Sequence, residues 1–366
     1  MKTSSRPAIA AFPNSASPRL VVAPPPRDAR PGEVICRTLH LGICGTDREV
    51  IESQHPAVPA GEDYLILGHE CLAEVVAVGA GVSQFQVGEL VVPAVRRPVA
   101  GVSAERIDLR PFDNSFVERG ILREHGFSAP FWLDRPEYLH PVPSSLRDLA
   151  VLAEPLAVIE KAIHEALLVQ RGRLGADAWT TPPPRMLVTG MGPIAFAGVL
   201  AARVRGWPIA ILGRDAADSP RARLAMELGA EYRSTRGDWK PSDAERGGWD
   251  FFIECTGNEE LTVAAGEAIR GCGVMVWLGA PREPAATSVN LGRLMRDVLC
   301  RNQIILGSVN AAPRDFAAAL AHLERLRNDC GDSVRRLITA RVRPEDAIPQ
   351  LLERANQSVK TVLMYE

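Results

Sequence analysis

Apolar residues cluster at 34–37 and 72–78, separated by stretches containing Gly and Pro, a texture that predicts short strands joined by irregular loops and a mainly β first half. From Pro182 onward apolar runs alternate with helical stretches, the pattern of stacked βα units around a parallel sheet. The runs at 186–188, 209–212, 251–254, 274–278 and 304–306 are the strand candidates, each followed by glycine or a small-residue turn. Pro182, Pro183 and Pro184 cannot continue a helix and extend the chain just before the first of these runs, so a domain boundary is expected between Glu154 and Arg185. Ser219 followed by Pro220 supplies an N-cap and a first-turn proline for a helix ending near Gly229. The run at 359–364 is a terminal strand placed to return to the first domain, and no internal repeat is detected.

Composition narrows the classes. A chain of 366 residues suggests about two domains, and 46% hydrophobic with 23% charged residues is too apolar for disorder. Lys and Arg total 42 against 44 Asp and Glu, a net charge of −2, which leaves no basic excess for a nucleic-acid partner. No apolar run approaches the roughly 18 residues of a membrane span, so a soluble protein with no membrane partner is expected. Within residues 1–26, Pro13, Asn14 and Ser15 interrupt the chain before an apolar segment forms, and no signal peptide is expected. The 7 cysteines are odd in number and scattered, which favours a reduced cytoplasmic setting in which thiols serve as ligands.

Gly190-Met191-Gly192-Pro193-Ile194-Ala195 follows a predicted strand and opens an apolar helix, the context in which G-x-G-x-x-G/A binds a dinucleotide. Gly190 is expected to make the tight turn, Gly192 to admit the pyrophosphate, and Ala195 to keep helix and strand close, with the helix N-terminus facing the anion. The next strand ends Leu212-Gly213-Arg214-Asp215, with Gly213 where an acidic residue would hold the NAD ribose. Arg214 then suits the 2′-phosphate of NADP, although Asp215 opposes it, so NADP is favoured and NAD is the alternative. A glycine-rich βα turn without ligand and a solvated loop arginine are the plainer readings.

Cys44-Gly45-Thr46-Asp47 and Gly68-His69-Glu70 each lie at a glycine-marked turn beside an apolar strand. Thiolate and imidazole are both good zinc ligands, and a catalytic site takes about three protein ligands with one open position. Glu154 is placed to complete the set, and Glu70 to be a fourth ligand or a neighbour exchanging with substrate oxygen. Alone, Cys44 reads as a small buried hydrophobe and His69 as a core histidine; Cys36, Cys71, Cys255, Cys272, Cys300 and Cys330 are assigned no chemistry.

These segments, with Glu118-Arg119-Gly120-Ile121, Leu152-Ala153-Glu154-Pro155-Leu156 and Gly307-Ser308-Val309-Asn310, resemble the zinc-dependent medium-chain dehydrogenase/reductase superfamily, and within it the archaeal-type glucose 1-dehydrogenases. The resemblance spans nearly the whole chain. It implies an α/β protein with a GroES-like, mainly β catalytic domain at 1–180 and 311–366, a Rossmann domain at 181–310, and an active site in the cleft. It also implies a catalytic zinc on Cys44, His69 and Glu154 with Glu70 as mobile fourth group, Thr46 in a proton relay, and sugar contacts from Glu118 and Asn310. Gly190, Gly192, Pro193, Ile194, Ala195, Gly213, Arg214, Thr256 and Asn310 make up the cofactor set that it implies, and a homodimer or homotetramer the assembly.

Three departures qualify the match. Residues 98–117, where relatives carry a four-cysteine zinc lobe, contain no cysteine, so no structural zinc is expected and packing by Val99, Val102, Ile107, Leu109 and Phe112 must hold the lobe. Val158 stands four residues after Glu154, where glucose enzymes are acidic, which weakens the case for D-glucose. Ala73 replaces a glycine after the His-Glu pair, a change of local packing. The expected activity is hydride transfer from an aldose C1 hydroxyl to NAD(P); the alternatives are a polyol, cyclitol or secondary-alcohol dehydrogenase, or a nonenzymatic redox sensor.

Overall fold

The computed structural model describes residues 7–236, 248–281, 289–353 and 357–366. Contacts divide the chain into two compact units, one of Met1–Ala157, Asn310–Arg327 and Ile338–Glu366, the other of Val158–Val309 and Asn328–Leu337. The division falls inside the helix Ala153–Leu174, upstream of the three prolines.

In the first unit the predicted strands are longer than their apolar runs, Val34–Gly42 and Glu70–Val78, and they pair antiparallel as the centre of a seven-stranded sheet. The outer edge of Val34–Gly42 is shared: its first residues pair with Phe131–Asp134 and its last with the terminal strand Lys360–Met364. The predicted return of the C-terminal run is therefore realised, with Val362 opposite Gly42 and Met364 opposite His40. Ile9, Leu41, Val75, Val91, Phe127, Trp132 and Leu363 form one core beneath this sheet, so residues far apart in sequence share one desolvated interior.

The second unit contains a six-stranded, wholly parallel sheet in the spatial order Glu231–Ser234, Ile209–Gly213, Met186–Thr189, Trp249–Glu254, Ile269–Trp277, Ile304–Gly307. Strand order reverses beside Met186–Thr189, the first strand of the unit, and such a switch point opens a crevice at the carboxyl ends of the strands. Strands covered on both faces are apolar throughout: Ile209–Gly213 is buried at every position. The helix after the glycine turn is Pro193–Arg205, and the one started by Ser219 is Pro220–Glu227, where Ser219 Oγ accepts from the Ala222 amide at 3.2 Å. Among the described residues no helix is long and apolar enough to cross a membrane.

Candidate functional site

In the first unit, Cys44 N-caps the helix Gly45–Glu52 and Asp47 lies in that helix's first turn. Asp47 Oδ2 accepts from the Cys44 amide at 2.8 Å, while Oδ1 accepts from the Gly68 amide at 3.2 Å and stands 3.5 Å from His69 Nδ1. One buried carboxylate thus ties the loop of Cys44 to the loop of His69. Burial and the cationic ring act in opposite directions on Asp47; His69 and the two amides prevail and hold its carboxyl below the usual range.

Cys44 Sγ, a His69 ring nitrogen and a Glu70 carboxylate oxygen all lie within 4.8 Å of one another. His69 Nδ1 is buried and makes no hydrogen bond. Glu70, fully buried, is ion-paired with Lys360, whose Nζ reaches Oε1 at 2.7 Å, also pairs with Oε2, and donates to the Ile43 carbonyl at 3.2 Å. Burial is the largest cause raising the Glu154 carboxyl well above the usual carboxylate range; Glu70 adds to it, against the pull of His69 and Lys360. Thr46 Oγ1 is 3.8 Å from Cys44 Sγ. A thiol, an imidazole and crowded carboxylates suit a divalent cation of borderline softness such as zinc, and the electrostatically burdened Glu154 is the feature that such an ion relieves.

Glu118 lies in the strand Phe116–Arg119, directly opposite Arg96 of the strand Arg96–Pro98. It is buried, not a surface charge. Its Oε1 accepts from Arg96 Nε at 2.9 Å and from Asn310 Nδ2 at 3.0 Å, so the two expected sugar contacts touch each other. Asn310 has a left-handed backbone, φ +64°, and its Oδ1 accepts from the next amide at 2.6 Å.

The cysteine-free lobe corrects one expectation. Ile107 is buried, but Leu109 and Phe112 are 52% and 69% exposed and cannot anchor it as proposed from their apolar character. The anchor is Arg96: its Nη1 donates to the carbonyls of Ile107 and Arg110 at 3.3 and 3.1 Å, and its guanidinium lies 3.8 Å from the Phe116 ring centroid. A planar cation with five donors binds several carbonyls at once, which a run of aliphatic side chains on a short irregular segment cannot do.

In the second unit the glycine turn joins Met186–Thr189 to Pro193–Arg205. Gly190 takes φ +101°, a conformation open chiefly to glycine, and its amide donates to the Leu212 carbonyl at 2.7 Å. Gly192 caps the helix with no side-chain partner, and a Cβ built on it meets nothing within 4 Å. Helix amides beginning at Ile194 and Ala195 thus face an open cradle, which fits a pyrophosphate. At Gly213 a Cβ would lie 2.4 Å from Met191 Cγ, so the position an acidic residue would hold is closed by packing. Arg214 is exposed. Thr256 lies beside the turn, its methyl 3.1 Å from a Cβ built on Gly190, and its amide and hydroxyl both donate to the buried Glu254.

Sequence reading assigned no role to Asp47, Arg96 or Lys360. Asp47 had a local signal, an acidic residue three positions after a helix cap. Arg96 and Lys360 had none, because their partners come from other strands. All seven cysteines are free, and apart from Cys44 none joins the metal-type cluster.

Residues 30–143 match the model for the alcohol dehydrogenase GroES-like domain, and residues 147–365 that for the glucose dehydrogenase C-terminus. The glucose 1-dehydrogenase of Thermoproteus tenax is 37% identical over 348 residues, covering 95% of this chain and 96% of that protein. The glucose 1-dehydrogenase of Haloferax mediterranei is 32% identical over 318 residues, with 84% and 86% covered. A solved structure described as Haloferax mediterranei glucose dehydrogenase in complex with NADP, Zn and gluconolactone superposes with a TM-score of 0.86 at 29% identity, covering 98% of this chain and 99% of that one. The Bacillus subtilis 2R,3R-butanediol dehydrogenase structure, at 22% identity and a TM-score of 0.78, shares the fold. The class that fold and matches define is the zinc-type medium-chain dehydrogenase/reductase, an NAD(P)-dependent enzyme acting on CH–OH donors. Within that class the chain belongs to the glucose dehydrogenase family.

Proposed function

We propose that the protein oxidises the C1 hydroxyl of an aldose to a lactone, with NADP favoured over NAD, in a reaction that removes one hydride and one proton. The observation that carries this reading is the meeting of Cys44, His69 and Glu70 within 4.8 Å in a chain whose relatives are glucose 1-dehydrogenases. Two bound groups supply what side chains cannot: a zinc ion, the Lewis acidity that acidifies the sugar hydroxyl, and a nicotinamide, the acceptor for the C1 hydride. Cys44, His69 and Glu154 would hold the metal, with Glu70, ion-paired to Lys360, as a fourth group. Asp47 orients His69 through Nδ1, the arrangement that fixes a ligating imidazole. Thr46 Oγ accepts the hydroxyl proton and passes it toward solvent. Glu118 and Asn310, already joined, orient the sugar hydroxyls so that little entropy remains to be lost at the reacting carbon. Gly190, Gly192, Pro193, Ile194 and Ala195 hold the pyrophosphate, Gly213 and Arg214 the adenosine end, and Thr256 and Asn310 the remaining cofactor contacts.

One catalytic zinc and no structural zinc, a catalytic domain at 1–180 and 311–366 around a dinucleotide domain at 181–310, a cytoplasmic setting and a homodimer or homotetramer complete the reading. The missing lobe cysteines support the single metal. Val158 favours a second substrate class, a polyol or cyclitol oxidised to a ketone, because an apolar residue leaves one hydroxyl without a partner. Purified zinc-replete protein, offered NADP or NAD with aldoses, polyols and cyclitols while NAD(P)H absorbance is followed, tests both. Rapid reduction with an aldose supports the proposal, reduction confined to polyols or cyclitols moves the substrate, and silence throughout in a protein that takes up no zinc on supplementation overturns it in favour of a dinucleotide sensor.

A further inference from the structure

The carboxylate that opposed NADP on sequence grounds is not free. Arg221, in the first turn of the helix Pro220–Glu227, donates from Nε to Asp215 Oδ2 and from Nη2 to Oδ1, each at 2.7 Å. The pair is partly desolvated, with side chains 22% and 9% exposed. Arg221 Nη1 also approaches the Met191 carbonyl of the glycine turn at 3.5 Å. The Asp215 backbone is fixed as well, since its carbonyl accepts from Tyr232 Oη at 2.7 Å and Ser234 Oγ at 2.9 Å. Arg214 beside it is exposed.

We infer that Arg221 is a positioning residue for cofactor choice: by clamping both oxygens of Asp215 it cancels the charge that would repel a ribose 2′-phosphate, denies a carboxylate to the ribose 2′-hydroxyl of NAD, and leaves Arg214 to meet the phosphate. The inference rests on the NADP reading above and deepens it. Both acceptor oxygens are committed to one guanidinium, so Asp215 can serve a ribose diol only by giving up a bidentate ion pair. Arg214, Asp215 and Arg221 together carry one net positive charge. Removing Arg221 leaves none, neutralising Asp215 leaves two, and removing both charges of the pair restores one.

That arithmetic gives the two halves of one ion pair opposite effects, which a merely structural role does not. Calorimetric titration of the folded full-length protein with 2′,5′-ADP and with 5′-ADP isolates the phosphate contact from turnover. Arg221→Met is expected to weaken 2′,5′-ADP about tenfold while sparing 5′-ADP, Asp215→Asn to bind 2′,5′-ADP at least as tightly as the parent, and Arg221→Met/Asp215→Asn to return near it. Arg221→Lys, which keeps the charge, is expected to retain most of the preference. Equal losses in both single variants, or no change in the ratio of the two ligands in Arg221→Met, overturn the inference. A parent protein that binds both ligands equally removes the NADP reading itself, and the inference with it.

Discussion

Lys360, the first residue of the final strand, forms a buried ion pair with Glu70, the first residue of a strand 290 positions earlier, and both side chains are within 1% of complete burial. The pair fixes the carboxylate that stands beside Cys44 and His69. Charges this deep are costly alone, and removing one partner of such a pair typically destabilises by about 3–5 kcal/mol. Lys360→Met is therefore expected to lower the urea midpoint strongly, and Lys360→Met combined with Glu70→Gln to recover much of the loss. A single variant as stable as the parent would show that the pair contributes little.

Cys44→Ala or His69→Ala removes a donor from the cluster that Asp47 organises. Zinc content and turnover should fall together while the circular dichroism spectrum stays native. Turnover retained in a metal-free Cys44→Ala protein would end the zinc mechanism.

Arg96 ties the cysteine-free lobe to Glu118. Arg96→Met should open the segment 99–115 to limited proteolysis and raise the KM for the sugar more than it lowers kcat, since two lobe carbonyls and one buried carboxylate lose their donor together. An unchanged cleavage pattern would mean that the lobe is held otherwise.

Burial, with Arg97 adding to it, pulls the ring of His140 down to about 4; the ring stacks on Phe316 at 4.7 Å and its Nε2 makes no hydrogen bond. The folded state thus binds the proton less well than the unfolded chain, whose histidine titrates near 6.5. The contribution is fully present above about pH 6.5 and is lost as pH falls toward 4, amounting to at most about 3 kcal/mol. The melting temperature of His140→Phe should accordingly depend less on pH across that window than that of the parent; identical slopes would refute the assignment.

Val158→Asp tests substrate choice. Restoring a carboxylate four residues after Glu154 should raise kcat/KM for hexoses at least several-fold relative to polyols. A parallel change for every substrate would show that residue 158 does not read the sugar.

Local chemistry in the sequence carried the strands of the parallel sheet, the glycine turn and the Ser219 cap, because each depends on residues near one another in the chain, while Cys44 and His69, on separate loops, were paired by their ligand chemistry. The buried apolar strands announce themselves by composition, and a βα turn needs its glycines whatever surrounds it. Tertiary structure alone decided what surrounds those groups. Lys360 reaches Glu70 only once the last strand pairs with Val34–Gly42; Arg96 faces Glu118 only through strand register; and Asp215, read from sequence as a repulsive charge, is neutralised by an arginine six residues on, across the turn into the next helix. Electrostatic character depends on distance and desolvation, which folding sets, and for that reason the ligand types were legible in the chain while their partners were not.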